Sequence, residues 1–342
     1  MMRRIACVWF AGLLLLGCAG QQPSSAEASS SAAEPVPYLA RAEVQEFIDE
    51  LVTEGFARSD LEAALSAAVY QQNIIDAISK PAERTLNWAS YQDIFLTERR
   101  VNQGRQFLEV HQATFARAEA EYGVPAEVIA AIIGVETFYG RIKGRHRVID
   151  ALATLAFDYP PRSKFFRSEL KEFFYLTREE QKTPLEPVGS YAGAMGYGQF
   201  ISSSYRNYAV DFDGDGIRDI WENPVDAIGS VANYLARHRW QAGEPIVTRV
   251  AYQGAENAMF NESLKPSRSL AETQALGLNT GLQRDAEELV SPMRLEGKKG
   301  DEYWIGFNNF YAITRYNHSK LYAMAVFQLS EQLKSEWSRG SS

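Results

Sequence analysis

In "AIIGVETFYGR", residues 131–141, an otherwise apolar run carries one carboxylate, Glu136, close to its end. At helical spacing Glu136 falls on the stripe of Ile129, Ile132 and Ile133, away from any face that would give it water. A carboxylate in apolar surroundings either finds a partner or has its pKa raised and keeps its proton. The expectation is a buried helix ending near Gly140, its negative end favouring the protonated form of Glu136. Glu136 is thus a candidate acid.

Further along, "DFDGDGIRDIWE", residues 211–222, fits the calcium-loop pattern D-x-D-x-D-G-x5-E. Asp211, Asp213 and Asp215 supply oxygens, Gly216 allows the sharp turn, and Ile217 offers its carbonyl. The closing ligand stays open between Glu222, at the usual twelfth position, and the nearby Asp219 and Asp226. Sensor loops of this kind usually come in pairs and one occurs here, so a structural Ca2+ is expected and not a switch. Between this loop and Glu136 lies "GSYAGAMGYGQF", residues 189–200. Gly189, Gly193, Gly196 and Gly198 would let backbone approach a ligand closely, and Ser190, Tyr191, Tyr197 and Gln199 add polar and aromatic groups. No Gly-Lys-Ser/Thr ending and no basic residue occurs in it, which excludes a phosphate loop. A packed loop and a binding site are both open readings of this stretch.

The chain begins with Arg3 and Arg4, an apolar stretch from Ile5 to Leu16, then Gly17 and Cys18. The stretch is short for a bilayer span and its basic front end suits an export signal. Leu15-Leu16-Gly17-Cys18 resembles a bacterial lipobox, in which the cysteine is acylated after cleavage before it. Cys7 leaves with the signal and Cys18 is consumed by lipid, so no disulfide is possible in the mature chain. Ala19 after the cysteine resembles lipoproteins sorted to the inner face of a Gram-negative outer membrane. Removing residues 1–17 takes two positive charges and no negative ones, moving the formal charge from −8 to −10. That excludes a nucleic-acid partner. Residues 19–37, small, polar and proline-bearing, read as a tether with a reach of about 25 Å. With 46% hydrophobic and 12% aromatic residues in the chain, the portion beyond the tether can bury a large core.

Beyond the tether the chain reads as mainly α, in an α+β arrangement. Val44, Phe47, Ile48 and Leu51 mark one helix; Ser59-Asp60-Leu61-Glu62 reads as a capping box opening another that runs through Leu65 and Val69. From about 246 to 308 the texture changes: "IVTRVAY" alternates like a strand, and "EGKKGDEYWIGF" looks like a turn entering one. A helix returns at residues 319–333. The four histidines, His111, His146, His238 and His318, show no metal spacing.

"IIGVETFYG", "GSYAGAMGYGQF", the acidic loop followed by "PVDAIGSVANYL", and "NFYAITRYNHSKLYAMAV" together resemble the membrane-bound lytic murein transglycosylase B family, in the right order and over nearly the whole mature chain. The resemblance implies a lysozyme-like core, a helical domain and a small β domain. The expected division is 1–17 signal, 18–37 lipidated cysteine and tether, 38–120 helical domain, 121–244 catalytic core with the calcium loop at 211–226, 245–308 β domain, and 309–342 returning to the core. It implies cleavage of the MurNAc–GlcNAc β-1,4 bond of peptidoglycan, leaving 1,6-anhydro-MurNAc ends, by a monomer that binds glycan strands and uses no organic cofactor. In this family one acid protonates the leaving oxygen and then, as a carboxylate, takes the proton of the C6 hydroxyl; the substrate's N-acetyl group stabilises C1.

By motif, Glu136 is that acid. Ser190 and Gln199 resemble polar groups near it, and Tyr91, Phe200, Tyr234, Tyr316, Asn317 and Tyr322 resemble residues that stack on sugars or bond to them. Core packing is the competing role for each ring. The family takes its closing metal carboxylate from the segment matching "PVDAIGS", which favours Asp226 over Glu222. Family members often carry two arginines in a "DYPRR" stretch; this chain reads "DYPPR", leaving Arg162 alone for a substrate carboxylate. Asp150 and Asp158 read as structural. A non-cutting, calcium-stabilised peptidoglycan-binding lipoprotein and a hydrolytic muramidase are the competing functions.

Overall fold

The computed structural model describes residues 36–79, 86–254, 259–279 and 281–340. The signal, Cys18 and nearly all of the tether lie outside the described residues. Helices come first in the chain: α1 (Ala42–Thr53), α2 (Arg58–Ser66), α3 (Gln72–Ser79), α4 (Trp88–Phe95), α5 (Glu98–Val110), α6 (Gln112–Tyr122) and α7 (Ala126–Thr137). Strand β1 (His146–Arg147) precedes α8 (Val148–Asp158) and α9 (Ser163–Glu179), and β2 (Val188–Gly189) precedes α10 (Ser202–Tyr208) and α11 (Pro224–Arg237). Then come β3 (Val247–Tyr252), β4 (Arg268–Ser269), α12 (Leu270–Ala275), β5 (Leu278–Asn279), β6 (Leu289–Gly297) and β7 (Gly300–Gly306). The chain closes with α13 (Asn308–Tyr316) and α14 (Lys320–Gly340). Among the described residues no helix is long and apolar enough to cross a membrane.

Helix α7 is the axis of the main core. Every residue in it except its two glutamates, Glu127 and Glu136, is buried. Burying Ile129, Ile132 and Ile133 completely contributes about 1.5–3 kcal/mol each. Helices α5, α6, α11 and α14 pack around it. The helix stops at Thr137, three residues before the glycine expected to end it, because Phe138 and Tyr139 turn into the left-handed region at φ 52° and 59°. That turn folds the Tyr139 ring back against Gly134 and across to Gly104 of α5, positions where a Cβ would collide with the ring. Gly134 in "IIGVETFYG" is therefore a packing requirement between two helices, and it fixes where the chain leaves α7.

The sequence expectation for α2 is only half right. The helix begins at Arg58 with Ala57 as its N-cap and no side-chain cap, so Ser59 and Glu62 do not form a capping box. It ends at Ser66, and Val69 lies exposed beyond it. The β region is as expected, an antiparallel five-stranded sheet in the order β4-β6-β7-β3-β5. Its own small core gathers Val250, Met259, Leu270, Leu278, Val290, Ile305 and Phe307.

Two short strands matter more for the site than their length suggests. Pairing of β1 with β2, His146 opposite Gly189 and Arg147 opposite Val188, pins the start of the glycine-rich loop beside the segment leaving α7. The far end of that loop closes on itself, with Met195 and Phe200 exchanging backbone bonds of 2.9 and 3.0 Å.

Candidate active site and metal loop

Glu136 sits in the last turn of α7, half-buried, where the helix runs out of core. The fully buried Tyr322 of α14 donates its hydroxyl to Glu136 Oε1 at 2.6 Å. Burial, and then the negative charge of Glu136, push the Tyr322 phenol well above its ordinary pKa, so the hydroxyl keeps its proton and stays a donor. Tyr316 is shifted the same way by the same two causes. Its ring lies parallel to Tyr322 at 6.5 Å, and its hydroxyl donates to the Gly198 carbonyl at 2.5 Å.

The remaining aromatic candidates form a wall behind this pair. Tyr234 packs on Tyr316 at 4.6 Å and donates to the Arg315 carbonyl at 2.5 Å. Phe200 touches both Tyr234 and Tyr316 at 5.8 Å. Tyr91 of α4 packs on Phe95 at 5.0 Å and lies near Tyr322. All five rings are less than a tenth exposed, so packing is a large part of what each does. Asn317, just past α13, is buried beside them.

The polar candidates from the glycine-rich loop are built into it. Ser190 Oγ accepts from the Ala194 and Ala192 amides at 3.0 and 3.3 Å, shaping the turn. Gln199, held at φ 52°, donates its amide to the Gly196 and Lys143 carbonyls at 3.0 and 3.3 Å. The loop is tied to the end of α7 by Thr137 Oγ1, which donates to the Tyr197 carbonyl at 2.9 Å. Arg162 stands at the start of α9 with its guanidinium over Phe165 at 4.4 Å, near Glu169.

In the acidic loop, carboxylate oxygens of Asp211, Asp213 and Asp226 come within 4.8 Å of one another. Three backbone amides, from Gly216, Gly214 and Asp215, point at Asp211 and hold its carboxyl below the usual range. Asp226, on the first turn of α11, is fully buried and accepts from the Phe212, Asp219 and Asp213 amides. Burial outweighs those bonds and pushes Asp226 up to about 6, with the Asp213 charge adding to it. Asp215 falls outside the three-carboxylate cluster, and its Oδ1 accepts from the Ile217 amide at 2.8 Å.

A family model described as "Transglycosylase SLT domain" matches residues 39–331. The chain belongs to this transglycosylase family. It is 43% identical over 297 residues to the membrane-bound lytic murein transglycosylase B of Escherichia coli K12, covering 84% of this chain and 81% of that one. The X-ray structure of the catenated lytic transglycosylase SltB1 of Pseudomonas aeruginosa superposes with a TM-score of 0.84 at 49% identity, over 87% of this chain and 98% of that one. The Escherichia coli lytic transglycosylase Slt35 in complex with calcium superposes with a TM-score of 0.78 at 42% identity, over 86% and 93%. The lysozyme-like, mainly helical fold expected from the sequence is the fold of this lytic transglycosylase.

One sequence expectation for the transglycosylase needs correcting, and the carboxylates left open for the acidic loop differ in where they sit. Glu136 is not sealed from water: the early end of α7 leaves it half-exposed, which a proton donor to an external substrate requires. Glu222, the twelfth position of the loop pattern, turns away with its side chain 78% exposed and pairs with Lys143 at 2.9 Å. Asp219 is spent on the Trp221 and Glu222 amides, leaving Asp226 to face Asp211 and Asp213.

One buried carboxylate escapes the sequence analysis. Glu169 of α9 is buried between Phe166, Leu170 and Phe173 and accepts from the Ser203 amide and hydroxyl at 3.0 and 2.8 Å. It thereby fixes the first turn of α10, between the glycine-rich and acidic loops. Burial raises it to about 7. The signal is there, since "FFRSELKEFF" puts a glutamate on an apolar stripe just as "AIIGVETFYG" does.

Proposed function

We propose that this lytic transglycosylase cleaves the MurNAc–GlcNAc β-1,4 bond of peptidoglycan with Glu136 as its one acid and base. The observation that carries the reading is a half-exposed carboxylate at the end of a buried helix, held by a buried phenol at 2.6 Å. Protonated Glu136 gives its proton to the glycosidic oxygen as the C1–O bond breaks. The carboxylate left behind takes the proton of the MurNAc C6 hydroxyl as O6 bonds to C1, closing the 1,6-anhydro ring. The acid is restored without water. Tyr322 keeps its proton throughout and orients the carboxylate.

A hydrolytic route needs a second carboxylate within reach of the sugar. Asp150 is bonded to Arg147 at 2.8 Å and to the Val69 amide at 2.9 Å, and Asp158 pairs with Arg41 at 2.7 Å, which supports a structural role for both. We assign sugar contacts to Ser190, Gln199 and Asn317 and to the edges of Tyr91, Phe200, Tyr234 and Tyr316, and a substrate carboxylate to Arg162. Mass spectrometry of a peptidoglycan digest tests the reaction: anhydro ends are expected, while reducing ends would make the enzyme a muramidase and intact glycan would make it a binding protein.

Three carboxylates converging within 4.8 Å, two glycines at φ 82° and 93° and a donor set made only of oxygens fit a hard divalent cation. We assign Ca2+ to Asp211, Asp213 and Asp226, with Asp215 and the Ile217 carbonyl completing its shell. When bound it neutralises the cluster and orders the loop. The Tyr197 amide bonds to the Ile220 carbonyl at 2.9 Å, so an ordered acidic loop also steadies the glycine-rich loop.

Acylation of Cys18, anchoring to the inner face of the outer membrane, a monomeric state and the division into helical, catalytic and β domains are also part of this reading. Failure of Cys18→Ser to release the enzyme from the outer membrane on a salt wash would remove the anchor from it.

A further inference from the structure

A cavity of about 830 Å3 opens between α10, α11 and α13 on one side and residues 261–265 on the other. Neither Glu136 nor Tyr322 lines it. Its floor is a rigid stack: His238 lies on Tyr234 at 4.1 Å and 22°, and Tyr208 packs on Tyr234 at 4.7 Å and on His238 at 5.0 Å. His238 Nδ1 is 2.7 Å from the Tyr234 carbonyl, so that nitrogen carries the hydrogen and Nε2 is the acceptor of the neutral ring. Burial and the neighbouring Arg315 and Arg237 lower the pKa of His238 despite that bond.

The charge of the rim contrasts with the rest of the molecule. Arg315 and Lys265 both line the cavity, and among the described residues neither makes an ion pair. The one lining carboxylate, Glu262, is held by Arg268 at 2.8 and 2.9 Å. A chain with a formal charge of −8 has here a concave surface with two uncompensated cations. Cations on a rim over an aromatic floor select an anionic, partly apolar ligand, and Arg forms its strongest bonds with carboxylates.

We propose that this cavity is a binding site for the peptide stem of peptidoglycan, with a stem carboxylate held between Arg315 and Lys265. The proposal rests on the peptidoglycan reading above. A stripped MurNAc offers one lactyl carboxylate beside its ring; a stem ties that group up as an amide and carries its own carboxylates further from the sugar. Tyr234 is shared, one wall of the cavity and, through Tyr316 and Tyr322, the backing of Glu136.

The test is the double variant Arg315→Ala, Lys265→Ala in the full chain, on soluble glycan strands carrying stems and on the same strands stripped by an amidase. The stem-bearing strands are expected to lose about tenfold in kcat/KM, mainly through KM, and the ratio between the two substrates to fall by nearly as much. An unchanged ratio, whether both substrates suffer equally or neither does, overturns the proposal. The same pair of changes in the Glu136→Gln background, read as binding of the two strands, gives that ratio without turnover. A wild-type enzyme that releases no anhydro product from either substrate would defeat the proposed reaction and leave the binding ratio to decide the cavity.

Discussion

The end of α7 and the acidic loop both depend on converging oxygen atoms, but they are assembled in opposite ways. The loop draws Asp211, Asp213 and Asp226 from one short stretch of chain and orients them with its own backbone amides. Glu136, the carboxylate proposed to be catalytic, meets its partner across 186 residues of sequence, and only because α14 packs along α7. The first site is specified locally and the second by the whole core. Damage to the loop should therefore cost stability, whereas damage at Glu136 should cost chemistry with little change in folding.

The largest expected effect is that of Glu136→Gln. The amide keeps the shape and can still accept from Tyr322 but cannot move a proton, so anhydromuropeptide release should fall about 10²–10⁴-fold or vanish. Its melting temperature should stay within about 2 °C. Residual activity above a tenth of wild type would break the contrast. Tyr322→Phe should be milder, roughly tenfold in kcat, because a bond to a charged group contributes about 1.5 kcal/mol or more. Unchanged kcat would mean that the phenol only fills space.

The loop should respond in stability. Calcium at a hundredfold excess over its Kd should stabilise the fold by about 2.7 kcal/mol, and magnesium should do less because it prefers a smaller octahedral shell. Asp226→Asn should abolish that shift, while activity measured well below the melting point persists. Loss of activity in folded, calcium-free enzyme would instead place the ion in the reaction.

Glu169 holds the first turn of α10 through Ser203 and gives a pH effect of known sign. Its folded pKa of about 7 lies above the unfolded value, so the native state binds more protons between the two. Stability should fall as pH rises from about 4.5 to 7, by no more than about 3 kcal/mol for this group. Melting curves of wild type and Glu169→Gln across that range should converge at the acid end and separate toward pH 8; parallel curves would contradict the assignment. Smallest of all, Glu222→Gln should leave the calcium shift untouched, since that side chain faces Lys143 and solvent.

The same division explains what the sequence can and cannot tell. A loop whose donors lie close together in the chain is readable as a pattern, and the geometry departs from it at Asp215, outside the three-carboxylate cluster, and at the last position, where Glu222 turns outward. Glu136 is readable as a charge on an apolar stripe, but nothing near it in sequence names Tyr322; that partner is reached through resemblance. The end of α7 comes earlier than the sequence implies because the Tyr139 ring needs Gly134 and Gly104, a contact between two helices. Ser59 and Glu62 have the spacing of a capping box, although the chain caps that helix at Ala57 without a side chain. The stem cavity leaves no sequence signal, since His238, Lys265 and Arg315 are single residues brought together by three separate elements.

The central claim is that one carboxylate acts twice and water never enters the bond. Digestion of peptidoglycan in heavy-oxygen water, followed by mass spectrometry of the muropeptides, addresses it directly. The expected products are 1,6-anhydro-MurNAc ends with no solvent oxygen at C1, absent altogether from the Glu136→Gln digest. Reducing MurNAc ends carrying the heavy label as first-formed products would contradict it.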